Sequence, residues 1–599
     1  MQALNRAVSE WFVQAYSLQL VLLVIALAAL VRHLVRGAFT LSDRRFVRLS
    51  VVAGVLALLV IGAANRTMPV ASLLGLTPGW IGNKALGWSK AILALSAAWL
   101  SIQEAARLVA KKPMRACWTK GIALALSIVS LGAYFRYGDY GYFDFYHRHE
   151  FFHYYLGPKY SHELGYERIY QCAAVAQAEA GQGNEVRVRK MMDLTRAVLM
   201  PAKVALEHPE ACRDHFTAER WESFKSDVQF FRSVTNLETW NGIQNDHGYN
   251  PPPVWTVMGR FWSALAPPSA SYFKFLATFD LLFFAGVFSA IYWAFGWRVF
   301  AVAAIYFGCQ LPAEFLWTGG AFLRQDWIFW LVLSACLLRK RYFFLAGGAF
   351  AYATLLRVFP GVLVAGWFVV IAAHIWKHRR IAPHHARLVL GGVTATAILV
   401  SISIAVTGAS AYADFYRHIH VHKNTPLTNN MGLETVLSQS YAGRMEWNTN
   451  PKAMDPCLHW EELRRARLSA FRPLHVVLLL GLGVLFVQVV RRVKLLWIAL
   501  ALALPIVIAM VELTCYYYSI FLLAALLSRH RRGVEQWILC VAGVSQLIAV
   551  NRILSAWYDD LYTAQSVLYC VFAATLLAAF WRRAKAVASA PKVVSATPA

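Results

Sequence analysis

Apolar runs of bilayer length, separated by short clusters of arginine and lysine, recur along nearly all of this 599-residue chain. A hydrocarbon core of about 30 Å needs roughly 20 apolar residues in a helix, because a helix satisfies its own backbone polar groups. Candidate spans lie at 14–31, 49–65, 85–106, 119–136, 271–295, 299–316, 326–338, 342–358, 360–376, 388–407, 473–490, 494–511, 513–528, 534–550 and 564–581. The composition agrees, with 58% hydrophobic and 15% charged residues, where a soluble domain carries about 25% charged. The pattern predicts an all-α polytopic membrane protein, a bundle of 15 transmembrane helices with two long outer loops. It excludes disorder, coiled coil and collagen, and 9 cysteines in so long a chain do not make a disulfide scaffold. No small-residue cleavage site follows the first apolar run, which therefore reads as a span and not a signal peptide.

The net charge of +26 would suit nucleic acid if it lay on one soluble face. It lies instead in clusters between apolar runs, so no nucleic-acid partner is expected. One set of short loops holds Arg32, Arg36, Arg44, Arg45, Arg48, Arg107, Lys111, Lys112, Arg115 and Lys120. The same set continues with Arg339, Lys340 and Arg341, with Lys377, Arg379, Arg380 and Arg387, and with the clusters near 491, 529 and 582. The positive-inside rule makes these loops cytoplasmic. The N-terminus is then outside, the C-terminus cytoplasmic, and the membrane a bacterial-type cytoplasmic (inner) one. The expected organisation is a three-helix extension (1–117), a first core helix (118–136), a first outer loop (137–270), a membrane core (271–408), a second outer loop (409–472), C-terminal helices (473–583) and a flexible tail (584–599). No GxxxxGK[ST] or strand-linked GxGxxG is present, so an ATP-driven pump is not expected.

Chemistry should reside in the outer loops, where acids, aromatics and histidines concentrate. The densest stretch runs from Phe135 to Glu150 and contains Asp139, Asp144, His147, Arg148 and His149. A carboxylate beside a membrane helix can act as a general base when burial raises its pKa. The alternative is an interfacial aromatic belt with solvated charges. Next come Asp144-Phe145-Tyr146, then Tyr154-Tyr155-Leu156-Gly157-x-Lys159-Tyr160 and Leu164-Gly165-Tyr166-x-x-Ile169-Tyr170. Further on stand Gly248-Tyr249-Asn250-Pro251-Pro252-Pro253-Val254-Trp255, Gly319-Gly320, Asp326, Ala346-Gly347 and Arg357-Val358-Phe359-Pro360.

This order resembles the GT-C glycosyltransferases, most closely the polyprenol-phosphate-mannose-dependent mannosyltransferases of glycosyltransferase family 87. It covers roughly 118–480, with Gly-Gly where the family has Gly-Gln and a longer first loop. The resemblance implies a GT-C-like bundle in the cell envelope that moves a sugar, with inversion, from a polyprenyl-phosphate donor to a hydroxyl of a glycan, lipid or protein acceptor. It implies that the first-loop aspartate is the base, which is Asp144 here, with Asp139 as second choice. It implies no cofactor beyond the lipid-linked co-substrate, and no metal, although His147, His149, Glu150 and His153 invite a metal reading.

Arg357 ends an apolar helix, where an unpaired charge is costly, and its fork suits phosphate oxygens. Arg324 is similar, though Asp326 is a candidate partner for it. His418, His420 and His422 alternate, which puts their rings on one face if the segment is extended. Such an edge suits phosphate, sugar or zinc, or is a solvated loop; no third ligand at metal spacing stands nearby. Tyr146, Tyr249 and Trp255, with Tyr142 and Trp240, can stack on sugar faces. Asp280 lies within a span and should face the bundle interior. Cys172 and Cys212 share the first outer loop, where a disulfide is permitted but spacing does not show the geometry. A transporter or flippase, a polyprenol-linked glycan ligase or polymerase, and a membrane scaffold remain rival readings.

Overall fold

The computed structural model describes residues 43–66, 82–140, 145–551 and 557–589. The protein is mostly helical, with two short antiparallel strand pairs, Lys190–Asp193 with Val198–Pro201 and Asn430–Met431 with Leu513–Thr514. Among the described residues, eight helices are long and apolar enough to cross a membrane. They are Asn83–Val109, Ala116–Tyr134, Ala270–Phe295, Phe359–His378, Pro383–Thr407, Arg472–Val490, Arg532–Val550 and Tyr558–Trp581. This makes it a multi-pass membrane protein.

The expected fifteen spans are too many. Several runs end as shorter apolar helices, at Trp297–Cys309, Phe343–Leu356, Leu496–Met510 and Cys515–Arg529. Asp326–Arg339 is also only 14 residues long, about 21 Å at 1.5 Å per residue, against a core of about 30 Å. Leu496–Leu502 and Leu504–Met510 are separated at Ala503, just before Pro505, and nearly every side chain in them is buried in protein. Hydropathy reads burial from water and does not distinguish lipid from protein core. The run at 14–31 lies outside the described residues.

Local sequence sets the helix ends. Ser269 caps Ala270–Phe295 by accepting from the Tyr272 amide at 3.2 Å. Gly296 ends that helix at φ +85°, a left-handed conformation that a side chain would strain, and the chain turns directly into Trp297–Cys309. Phe343–Leu356 and Pro383–Thr407 pack so closely that a Cβ on Gly347 would lie 2.0 Å from the Leu388 carbonyl oxygen. Only 11% of the apolar window of Pro383–Thr407 is buried, so its other faces look toward lipid.

The segment between Phe145 and Pro268 is folded. Phe152, Tyr155, Tyr160, Phe224, Phe231 and Trp240 are fully or almost fully buried and form an aromatic core. Cys172 and Cys212 form a disulfide across it. Lys159 pairs with buried Asp227 at 2.6 Å, and the Tyr160 hydroxyl donates to the same carboxylate at 2.8 Å. The second polar segment carries helices Ser410–Lys423, Leu433–Ser438 and Leu458–Ala470. Lys190 Nζ donates to the Ala453 carbonyl at 2.7 Å and the Leu199 amide to Asp455 at 3.0 Å, which fastens the two segments together.

Candidate functional site

Where these two segments meet one end of the bundle, they enclose a cavity of about 620 Å³. Its walls carry His147, His149, His153, His247 and His422, the acids Glu150, Asp246, Asp455 and Glu461, and Arg324. A π-helical turn at Phe152–Leu156 shapes one wall. It sends Phe152 and Tyr155 into the aromatic core while His153 and Tyr154 face the cavity. Such widened turns recur at functional sites.

Arg324 is held from three sides. Its Nε lies 2.9 Å from a Glu150 oxygen, an ion pair whose N–H is not aimed along a hydrogen bond. Its Nη1 donates to the Tyr154 hydroxyl, and its guanidinium stacks 4.4 Å from the Tyr154 ring and 5.1 Å from Tyr516. The backbone before it is strained, with Leu323 at φ +49°. Two buried groups hold that turn: Trp255 Nε1 donates to the Leu323 carbonyl at 3.0 Å, and Asp280 Oδ1 accepts the Arg324 and Gln325 amides, both at 3.0 Å. Asp280 therefore uses one inward-facing carboxyl oxygen to position the arginine loop. Asp326 is not the partner of Arg324; its Oδ1 turns back to the Trp327 amide at 2.7 Å.

Arg357 sits behind Tyr154, 5% exposed, with Tyr154 and Trp255 rings within 6 Å of its guanidinium. Nη1 donates to the Leu356 carbonyl at 2.7 Å, while Nε and Nη2 are buried without a hydrogen-bond partner among the described residues. A buried fork with two unused donors has the hydrogen-bonding capacity to receive an anion.

The other sequence candidates separate. Asp144 and Tyr142 lie outside the described residues. Asp139 accepts from Arg136 at 3.3 and 3.4 Å and does not line the cavity. The three alternating histidines are not on an extended edge, because Ser410–Lys423 is a helix. At 100° per residue His418 and His422 share a face and His420 points away. His422 reaches the cavity, His418 bonds Asn250 at 2.6 Å, and His420 is exposed. Tyr146, Tyr249 and Trp255 are buried core residues: Tyr146 packs on Phe151 and Phe273, and the Tyr249 hydroxyl bonds Thr256 at 2.8 Å. None of the three lines the cavity as a stacking platform. Trp240 likewise donates inward, to Gln177.

Asp246, Asp455, Glu461 and Tyr516 escaped sequence reasoning. Asp246 and His247 immediately precede the Gly248–Trp255 motif, so the signal stood two residues upstream. His149 Nε2 lies 2.9 Å from Asp246 Oδ2, and His153 Nδ1 lies 3.9 Å from the same oxygen. Burial pushes the His153 and His422 imidazoles down to about 3, so both are neutral near pH 7. Burial alone would lower His149 too, but the Asp246 hydrogen bond and charge outweigh it and raise it. Burial also lifts the Glu150 carboxyl above its ordinary range, against the pull of Arg324.

A second hollow, of about 640 Å³, is apolar and lies among helices Ala116–Tyr134, Ala270–Phe295 and Trp297–Cys309. Phe135, Phe284, Phe288 and Phe307 line it. Phe135 meets Phe315 edge-on at 5.6 Å, and the next two residues, Leu316 and Trp317, line the polar cavity. A greasy groove and a charged chamber are thus separated by one aromatic layer. Compared with protein-family models, with curated proteins and with solved structures, the chain matches none.

Proposed function

We propose that this protein is a membrane glycosyltransferase of GT-C type, moving a sugar from a polyprenyl-phosphate donor to a hydroxyl acceptor with inversion. The observation that carries the reading is a carboxylate-lined chamber with Arg324 in its wall and the buried Arg357 behind Tyr154, one aromatic layer from an apolar groove. A lipid phosphate sugar needs this combination. The polyprenyl chain takes the groove, its phosphate meets the arginines, and the sugar enters the chamber. A carboxylate accepts the proton of the acceptor hydroxyl as its oxygen bonds the anomeric carbon. The bond from that carbon to the phosphate oxygen breaks, and polyprenyl phosphate leaves with its charge neutralised by the guanidiniums.

Asp144 remains the base implied by the family resemblance. Glu150 is the described carboxylate best placed to share or replace that role, since it lines the chamber, touches Arg324 and is held above its ordinary range by burial. The chamber would face the outside of the cytoplasmic membrane, with the N-terminus outside and the C-terminus inside. The Cys172–Cys212 disulfide supports that side, because disulfides persist in oxidising compartments.

The test is transfer from a panel of radiolabelled polyprenyl-phosphate hexoses and pentoses by the purified protein in lipid discs, with Asp144→Asn, Glu150→Gln and Asp139→Asn beside wild type. Loss of about 10²-fold or more in one of the first two, with Asp139→Asn near wild type, supports the assignment. Failure of wild type to release sugar from any donor refutes it and moves a transporter of lipid-linked substrates ahead.

A further inference from the structure

We infer that His149, His153 and Asp246 form a binding site for one divalent metal ion of zinc's class, a site that stands independently of the glycosyl-transfer reading. Their donor atoms all lie within 4.8 Å of one another. Donors on one tetrahedral zinc, with bonds of about 2.0–2.1 Å, lie about 3.3 Å apart. Asp246 Oδ2 lies 2.9 Å from His149 Nε2 and 3.9 Å from His153 Nδ1, which brackets that value. Two imidazoles and one carboxylate leave a coordination position open toward the cavity, the arrangement of zinc sites that hold water or substrate.

The surroundings favour a cation. The Asp455 carboxylate lines the same chamber, and Arg324, its guanidinium cation, is already engaged by Glu150 and Tyr154. On binding, His153 takes the tautomer with its proton on Nε2, which can then donate to a neighbouring oxygen as metal-ligating histidines do. Its Nε2 lies 2.7 Å from the Tyr170 hydroxyl, which is itself located by the Gly248 amide at 2.9 Å. Binding exchanges the contact of His153 Nδ1 with the His149 carbonyl, 3.1 Å, for a bond to the metal. The local fold also supports convergence. His149 and His153 are one helical turn apart, and Asp246 is brought to them from 93 residues beyond His153 by the end of helix Leu237–Gln244.

The experiment uses the full chain in lipid discs, stripped with chelator and titrated calorimetrically with Zn²⁺ alone, then with Mn²⁺ and Mg²⁺. Wild type should bind one Zn²⁺ per chain, and His149→Ala and Asp246→Asn should each weaken binding at least tenfold. Tyr170→Phe, which leaves the three ligands in place, should weaken it less. X-ray absorption on zinc-loaded wild type should show two imidazoles at about 2.0–2.1 Å, a readout that holds if a variant fails to fold. Absence of stoichiometric binding, a zinc shell without imidazole, or affinity unchanged in both ligand variants would each overturn the site. None of these outcomes depends on sugar transfer.

Discussion

Asp280 offers the sharpest test of how the bundle builds the chamber. One of its oxygens accepts two backbone amides, those of Arg324 and Gln325, each at 3.0 Å, and the residue is 2% exposed. Asp280→Leu keeps comparable bulk and removes both bonds. A buried amide left without an acceptor costs about 1–3 kcal/mol, so two cost about 2–6 kcal/mol. Relief from burying a carboxylate offsets part of this, leaving about 2–4 kcal/mol as the expected loss. Asp280→Asn separates acceptor from charge. Its carbonyl oxygen can stand where Oδ1 stands and accept both amides, while its NH2 takes the place of Oδ2, which has no partner among the described residues. Thermal unfolding in lipid discs should therefore rank Asn near wild type and Leu well below, with proteolysis of the Leu variant concentrated at 319–325. A Leu variant as stable as wild type, or an Asn variant as damaged as Leu, would refute the claim that amide acceptance is what Asp280 contributes.

Arg357→Ala should impair use of a polyprenyl-phosphate donor more than Arg357→Lys, because lysine keeps the charge and loses the fork; equal turnover by both variants and wild type would leave Arg357 a structural cation. Glu461 is pushed up to about 8 by burial and then by Asp455, from an ordinary value of 4.5. The native carboxyl thus holds its proton where the unfolded one has lost it, so its contribution is full below pH 4.5 and declines as pH rises toward 8. Glu461→Gln should flatten that decline, by up to about 5 kcal/mol at about 1.4 kcal/mol per unit, and thermal midpoints that fall in parallel for both proteins across that range would contradict it. Cys172 and Cys212 close a loop of sequence separation 40, so the double serine variant should lose about 4 kcal/mol on the chain-entropy model. Equal alkylation of both wild-type thiols before and after reduction would show that no such bond exists.

Hydropathy made the long lipid-crossing helices legible. Ala270–Phe295 and Arg532–Val550 lie within two residues of the apolar runs 271–295 and 534–550. It failed at Leu496–Met510 and Cys515–Arg529, whose side chains are as apolar as a span's but are surrounded by protein. The charged chamber was legible where its residues sit beside a recognisable run, as Arg324 does, or in the dense polar stretch after the fourth run, as His147, His149 and Glu150 do. Asp246 reaches His149 across 97 residues, and a contact of that range leaves no local pattern. The histidines at 418, 420 and 422 misled for the opposite reason. Alternation is a strand signal, but Ser410–Lys423 is a helix on which period two scatters the rings.

The chamber has two chemically opposite ends, and Glu150 joins them. It follows His149, whose imidazole faces Asp246, and its own carboxylate lies against Arg324. On the readings proposed above, the histidine–aspartate end would take a cation, and the arginine end, with the unused donors of Arg357 behind it, an anion. Asp246 and Arg324 therefore act on Glu150 from opposite sides. The arginine favours its charged form, while burial and the Asp246 carboxylate favour the neutral one. A metal ion bound at the triad would add positive charge to the Asp246 side and draw Glu150 toward the carboxylate. A phosphate arriving at Arg324 would weaken the ion pair and push Glu150 toward holding a proton. A carboxyl poised between two such ligands changes its proton affinity as they come and go, which is the property a general base needs when it must take a proton with the donor bound and release it once the lipid phosphate has left.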